Sequence, residues 1–242
     1  MNLNGKSVLV TGGGSGIGAA IALAFARDGA QVIISGRNAD KLEAVASEVN
    51  EGRIQFQVCD VSDRDAANDL IEHAQRQFAQ IDIVVNAAGV NVPNRLMENL
   101  DPADWDRMLA VNATGTFNVI HAILPKMRRR NDGLIININS VSGLRPGMLG
   151  GVGYNASKFA VTALTHSVAQ EVKNDGIRVT NLCPGEVDTP ILEQRPQAVT
   201  EEHRARILRP EDIAQVALSL AYLPPRVHVP EIIVKPTFQD YF

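Results

Sequence analysis

Short apolar runs alternate along the chain with longer stretches in which apolar residues recur at helical spacing. The short runs are nearly continuous, a pattern typical of strands that are buried on both faces of a parallel sheet. They predict strands at residues 7–10, 31–35, 54–58, 81–85, 134–138 and 177–182. Helical spacing predicts helices in the intervening and later stretches, of which the clearest are 16–27, 40–49 and 62–78.

The strand–helix–strand pattern repeats every ~25–30 residues, which implies βαβ units with right-handed crossovers. We therefore predict an α/β fold with a doubly wound parallel sheet. No linker, internal repeat or low-complexity tract divides the chain, so residues 1–242 are predicted to form one domain. The least regular segment is 184–210, and a loop of that length in a compact domain is usually functional, for example as a lid.

Composition narrows the class of protein without identifying it. The chain of 242 residues carries 23 basic and 27 acidic side chains, for a net charge of -4. This mild acidity argues against nucleic acid or an anionic membrane as a partner. No apolar run approaches the ~20 residues that a membrane helix needs, and the two cysteines fit no metal-ligand spacing. We expect a cytoplasmic protein that binds no metal.

A glycine-rich turn lies between the first predicted strand and the first predicted helix. Glycine there lets the backbone approach a pyrophosphate, which then sits on the free N–H groups of the helix N-terminus. The strand before the turn and the helix after it favour a dinucleotide site over a structural turn. No GxxxxGK[ST] pattern is present. The predicted cofactor contacts are Gly12, Gly14, Ser15, Gly16, Ile17 and Gly18.

The end of the second predicted strand bears on the choice between NADP and NAD. An acidic residue is expected there in proteins that hold the ribose hydroxyls of NAD. This chain has Arg37 instead, after Ser35 and Gly36. A guanidinium can grip a 2′-phosphate through paired hydrogen bonds, so NADP(H) is favoured and NAD(H) is the alternative. In a less specific interpretation, Arg37 is a solvated residue at the start of a helix.

Further motifs follow in order along the chain. They are Asn86-Ala87-Ala88-Gly89, then Asn112, then Ser140, then Tyr154-Asn155-Ala156-Ser157-Lys158. Together with the glycine turn, this set resembles the short-chain dehydrogenase/reductase family in its single-domain form. The resemblance covers nearly the whole chain. It implies a Rossmann-type three-layer sandwich of about seven strands, NAD(P) at the carboxyl ends of the strands, and a homodimer or homotetramer.

The resemblance assigns catalytic roles to Asn112, Ser140, Tyr154 and Lys158. Tyr154 would donate a proton to the carbonyl oxygen, Ser140 would polarise that oxygen, and Asn112 would hold a water that relays protons. Lys158 lies four residues after Tyr154, so the two share a helix face. A tyrosine with a pKa near ~10 is a poor catalyst at neutral pH, and an adjacent ammonium is expected to lower that pKa.

The resemblance also implies cofactor contacts beyond the glycine turn. Tyr154 and Lys158 would lie at the nicotinamide ribose, and Thr189 at the nicotinamide carboxamide. The other implied positions, which include the adenine and adenosine-ribose contacts, are Asp60, Val61, Asn86, Ala87, Gly89, Pro184, Gly185 and Val187.

Two departures from the family pattern bear on the predicted site. Ser140 lies 14 residues before Tyr154, where 13 is common, and the extra residue falls in the flexible stretch 147–153. Ser142 is therefore an alternative to Ser140. Ser15 stands where many NADP enzymes of the family have Lys or Arg. In the predicted lid, cations could receive an anionic substrate or be solvated: Arg195, His203, Arg204, Arg206 and Arg209.

The function expected from the sequence is NADPH-dependent reduction of a small ketone, aldehyde or 3-oxo compound. The alternative enzyme is an NAD-linked dehydrogenase of a 3-hydroxy acid or another alcohol. A cofactor-sensing Rossmann protein without turnover is the alternative of another class, since fold does not fix function. The loops that would shape the substrate pocket carry no readable code; they are 91–96, 144–153 and 186–209.

Overall fold

Seven strands and eight helices alternate along the chain in the computed structural model, which describes residues 2–49 and 52–240. The strands are β1 Ser7–Thr11, β2 Gln31–Gly36, β3 Ile54–Val58, β4 Ile83–Asn86, β5 Gly133–Ile138, β6 Ile177–Pro184 and β7 Glu231–Val234. The helices are α1 Gly16–Arg27, α2 Ala39–Ala46, α3 Arg64–Phe78, α4 Pro102–Met108, α5 Gly115–Arg130, α6 Val152–Glu171, α7 Glu201–Arg204 and α8 Pro210–Tyr222.

The strands form one parallel sheet in the order β3-β2-β1-β4-β5-β6-β7. The predicted doubly wound sheet of about seven strands is confirmed. The order reverses at β1, which pairs with β2 on one side and β4 on the other. Ligands of such sheets bind outside the carboxyl ends of the strands at this reversal, so the topology places a site beyond Thr11 and Asn86.

Two apolar cores cover the two faces of the sheet. Successive strand residues point to opposite faces, so Val8 and Val10 of β1 join one core while Leu9 joins the other. The first core packs against α1 and α8, and the second packs against α3 and α5. This is the three-layer arrangement that nearly continuous apolar strands predict.

The predicted element bounds are correct for α1 and β3 and differ elsewhere by a few residues, for local reasons. Helix α3 begins at Arg64 rather than at 62, because the Asp63 side chain caps it by accepting from the N–H groups of Asp65 and Ala66. Strand β4 begins at Ile83 rather than at 81. The Asp82 side chain accepts instead from the backbone of Ser7 and from Lys6.

None of the helices in the described part of the chain has the length and apolarity needed to cross a bilayer.

Candidate active site

A cleft of about 710 Å³ opens at the carboxyl ends of the strands. It brings together most of the predicted site residues: Ser15, Gly16, Ile17, Gly18, Arg37, Ala87, Gly89, Ser140, Tyr154, Lys158, Pro184, Gly185, Val187 and Thr189. The remaining predicted residues do not line this cleft: Gly12, Gly14, Asp60, Val61, Asn86 and Asn112.

The glycine turn fits closely against β4 and against itself. Gly12 has a φ of +66°, and a Cβ there would lie 2.7 Å from the backbone of Ala87 and Ala88. A Cβ on Gly18 would lie 2.3 Å from the carbonyl oxygen of Gly12. Only glycine fits at these two positions, and the turn is thereby held at the carboxyl end of β1.

The first turn of α1 faces the cleft with N–H groups that no side chain caps. Ser15 occupies the N-cap position in an extended conformation, and its hydroxyl makes no capping hydrogen bond. Uncapped N–H groups at a helix N-terminus are suited to binding a phosphate. The turn and the helix together fit the pyrophosphate of a dinucleotide.

Arg37 follows β2 and is exposed at the edge of the cleft. It makes no hydrogen bond or ion pair with the residues that the structure describes, so its guanidinium is available to a ligand. Its charge reaches Asp60. Partial burial acts to raise the pKa of Asp60. Hydrogen bonds from Ser62 and the charge of Arg37 outweigh this effect and bring that pKa below its ordinary value.

Tyr154 and Ser140 meet at the opposite part of the cleft. Ser140 follows β5, and Tyr154 lies in the first turn of α6. The Ser140 hydroxyl lies beside the Tyr154 phenol, close enough to act on its pKa, and accepts from the N–H of Ser142 at 3.1 Å. The structure thus pairs Tyr154 with Ser140 rather than with Ser142, despite the extra residue between them.

The prediction that Lys158 lowers the pKa of Tyr154 is wrong for this structure. Burial raises the pKa of the Tyr154 phenol above its ordinary value, against smaller lowering effects of the Ser140 hydrogen bond and the charge of Arg95. Lys158 Nζ lies 5.7 Å from the centre of the tyrosine ring and donates to the carbonyl of Ile138 at 3.0 Å. Burial lowers the pKa of Lys158 to about 8.

Asn112 is buried near Lys158, in a π-helical turn that joins α4 to α5. Its amide donates to the carbonyl of Val90 and to the hydroxyl of Ser157, and its Oδ1 accepts from the N–H of Val90. Both amide hydrogens are therefore used. Any further hydrogen bond to this side chain must be accepted by Oδ1, which lies close to the backbone of Gly89.

The side chain of Asn86 points into the sheet rather than toward the cleft. It donates to Oδ1 of Asn137 at 2.8 Å, and Asn137 in turn donates to Thr165 of α6. The Asn86 side chain thus links β4 to β5, and the adenosine-ribose contact of Asn86 stays a prediction.

Most cations of the predicted lid have partners within the chain. Arg195 and His203 both bind the carboxylate of Glu186, and Arg204 binds Asp188. Arg206 lies 4.4 Å from the centre of the Phe238 ring. These contacts and a bridge between Val187 and Leu208 hold the base of the segment. Pairing within the chain excludes neither interpretation of these cations, solvated or substrate-binding, and both stay predictions.

Comparison with known proteins identifies the chain. The family model described as short chain dehydrogenase matches residues 6–200.

The chain belongs to the short-chain dehydrogenase/reductase family.

As a short-chain dehydrogenase/reductase, it is an oxidoreductase that acts on CH–OH or C=O groups with a nicotinamide nucleotide. An uncharacterized oxidoreductase of Staphylococcus saprophyticus is 36% identical over 98% of this chain and 99% of its own. An uncharacterized oxidoreductase of Staphylococcus aureus is 36% identical over 97% of this chain and 98% of its own.

Solved structures of the family superpose on nearly the whole chain. A serine dehydrogenase in complex with NADP+ has a TM-score of 0.88 at 29% identity, covering 97% of this chain and 96% of its own. An alcohol dehydrogenase of Thermococcus sibiricus with 5-hydroxy-NADP has a TM-score of 0.86 at 30% identity, covering 97% and 98%. A 3-ketoacyl-(acyl-carrier-protein) reductase of Brucella melitensis in complex with NADH has a TM-score of 0.88 at 29% identity, covering 97% of this chain and 98% of its own.

One residue of this short-chain dehydrogenase/reductase was missed by the sequence analysis. Arg95 lies in the loop after β4, is only 7% exposed, and lines the cleft near Tyr154. Nothing in the run Val92-Pro93-Asn94-Arg95 distinguishes it from a surface arginine. Its burial depends on three loops that are distant in sequence and converge only in the fold.

Proposed function

We propose that the chain is an NADPH-dependent reductase of a small ketone, aldehyde or 3-oxo compound. The observation that carries this proposal is the Tyr154–Ser140 hydroxyl pair, with Lys158 one helical turn away, in the same cleft as the glycine turn. A protein that only sensed a cofactor would have no use for a proton donor at this position.

Binding of the nicotinamide nucleotide is assigned to two groups of residues. The uncapped first turn of α1 and the glycine turn would hold the pyrophosphate, and Arg37 would hold a 2′-phosphate. Lys158 and Thr189 would lie at the nicotinamide end. A Cβ on Gly16 would lie 3.2 Å from the Thr189 side chain, so Thr189 lies beside the glycine turn. When bound, the nucleotide supplies or accepts the hydride.

The chain's own residues supply the proton and the polarisation of the substrate. Because burial keeps the pKa of Tyr154 above its ordinary value, the phenol holds its proton at neutral pH and can donate it to a carbonyl oxygen. Ser140 donates a second hydrogen bond to that oxygen. Lys158 would then return a proton to the phenolate, together with a water that donates a hydrogen bond to Oδ1 of Asn112.

Exchange of Arg37 for alanine tests the preference for NADPH. We expect NADPH to bind about 10- to 100-fold more weakly to Arg37→Ala, because charge-assisted hydrogen bonds to a phosphate are lost. NADH, which has no 2′-phosphate, should bind as before. Fluorescence titration of both nucleotides measures this, with the exposed Arg76→Ala on α3 as the control of equal charge change.

Equal binding of NADH and NADPH to the original protein would contradict the NADP assignment. It would favour the alternative function, an NAD-linked dehydrogenase of a 3-hydroxy acid or another alcohol. The proximity of Asp60 to Arg37 is the feature that would explain such a result, since it offsets the cation that a phosphate requires.

The pH dependence of reduction should reflect the loss of the proton from the buried Lys158. We expect kcat/KM to be constant up to about pH 7 and to fall about tenfold per unit well above pH 8. Burial lowers the pKa of Lys158 to about 8, so raising the pH removes its ammonium charge while Tyr154 keeps its proton. Rates measured between about pH 6 and about pH 10 check this.

In Lys158→Met the residual activity should show no such fall. A decline near pH 8 that persists in that variant would assign it to another group.

We further propose that the protein forms a homodimer or homotetramer. Phe117 on α5 and Phe159 on α6 are 39% and 40% exposed. Aromatic side chains exposed on helices are enriched at protein interfaces.

A further inference from the structure

Arg95 is a buried cation that holds three loops together. Its Nε donates to the carbonyl of Val92 at 2.6 Å, Nη1 to that of Leu149 at 2.5 Å, and Nη2 to that of Gln194 at 2.7 Å. These carbonyls belong to the three segments 91–96, 144–153 and 186–209, which the sequence indicates as the walls of the substrate pocket. The position of the guanidinium is thereby fixed relative to all three.

The hydrogen-bonding capacity of Arg95 is incompletely used. A guanidinium has five N–H donors, and three are occupied, so two have no partner among residues 2–49 and 52–240. All three partners are neutral carbonyls. A buried charge is normally paired with an opposite charge, because burial without one is costly.

The charges around Arg95 make the missing partner an anion. The groups whose charges act on it are Arg195, which is also positive, and Tyr154. Arg195 already shares Glu186 with His203, so that carboxylate is committed to two other side chains. Arg95, Arg195 and Glu186 together therefore carry two positive charges against one negative charge.

The location of Arg95 relates this charge to the reaction. Its guanidinium lines the same cleft as Tyr154 and is near enough for its charge to act on the phenol. An anionic group bound by Arg95 would therefore share one cleft with a carbonyl group whose oxygen contacts Tyr154 and Ser140. A guanidinium presents two N–H groups in the geometry that a carboxylate accepts.

We propose that Arg95 binds the carboxylate of the substrate, and that the substrate is a short oxo acid or the corresponding hydroxy acid. This inference rests on the proposed function and specifies its substrate class. Arg95 is a specificity-determining residue rather than a proton donor, and the loops that it holds give the carboxylate its position.

The test compares free acids with their methyl esters. The probes are 2-oxobutanoate, 3-oxobutanoate and 4-oxopentanoate with their esters, each reduced with NADPH. We expect at least one acid to exceed its ester in kcat/KM by about tenfold or more. In Arg95→Gln that acid should lose about 10- to 100-fold, mainly through KM, while the ester changes less than about threefold.

Two further variants separate recognition from stability. Arg107→Gln is the matched control, since Arg107 also lines the cleft and pairs at 2.9 Å with Asp104, and it should keep the preference for the acid. Arg95→Lys retains the charge and should keep part of the preference. A variant that reduces acid and ester turnover equally would show that Arg95 only holds the loops, and would overturn the proposal.

A binding measurement makes the result independent of turnover. Calorimetric titration of the NADP+-loaded protein with butanoate, and with neutral butanamide as its control, should show tighter binding of butanoate that Arg95→Gln abolishes. Equal binding of the two would overturn the proposal, as would equal turnover of acids and esters by the original protein. Failure to reduce any probe, with butanoate still bound through Arg95, would instead contradict the proposed reductase.

Discussion

Tyr154→Phe is expected to lower kcat/KM for carbonyl reduction by about 10²- to 10⁴-fold, the usual contribution of a positioned proton donor. The exchange removes one oxygen and leaves the ring that Lys158 faces. The Ser140 hydroxyl keeps its hydrogen bond from the N–H of Ser142, so the wall of the cleft should not rearrange. Steady-state rates at saturating NADPH measure the effect.

The loss should be confined to chemistry. Nucleotide binding, followed by fluorescence titration, is expected to change by less than about threefold, because the phenol is one of many groups along the cleft. Tyr222→Phe is the matched control: Tyr222 lies at the end of α8, and its hydrogen bond to Asp28 raises its pKa to about 12. That variant should keep full activity.

Retention of more than about a tenth of the activity by Tyr154→Phe would remove Tyr154 from its proposed role. Ser140 would then be the next proton donor to test, because its hydroxyl lies beside the Tyr154 phenol.

The sheet, and the placing of Tyr154 and Lys158 on one helix in the cleft, could be predicted because their signals are local. Buried strands are nearly continuous apolar runs. The glycines between β1 and α1 indicate a turn whose backbone packs closely against its neighbours. Tyr154 and Lys158 are four residues apart on one helix, so their proximity follows from helix geometry alone. The order of motifs then identified the family.

The features that could not be predicted depend on contacts between distant segments. Arg95 gains its burial from loops at 149 and 194, and Asn86 turns toward Asn137 because β4 lies beside β5. The direction of the Tyr154 pKa shift was predicted wrongly because spacing reveals a neighbouring charge but not the extent of burial. In this cleft burial outweighs the lowering effects of Ser140 and Arg95 on the Tyr154 pKa, and Lys158 is not among the groups that shift it.

The glycine turn tolerates no side chain at Gly18, and Gly18→Ala is expected to weaken nucleotide binding and lower kcat/KM by about 100-fold. An added Cβ would lie 2.3 Å from the carbonyl oxygen of Gly12, so α1 and the turn must separate by about 1 Å. That displacement moves the uncapped N–H groups of α1 away from a pyrophosphate. We also expect a loss of about 1–3 kcal/mol in the free energy of unfolding.

Gly147→Ala is the matched control, because a Cβ there would meet no atom within 4 Å. Nucleotide titration and thermal unfolding of the two variants distinguish the effects. The Gly18 variant should lose binding by more than its loss of stability explains, since the helix N-terminus is displaced even in the folded protein. Unchanged NADPH affinity in Gly18→Ala, with α1 intact, would mean that the pyrophosphate does not lie on this turn, and the cofactor contacts proposed around it would have to be assigned elsewhere.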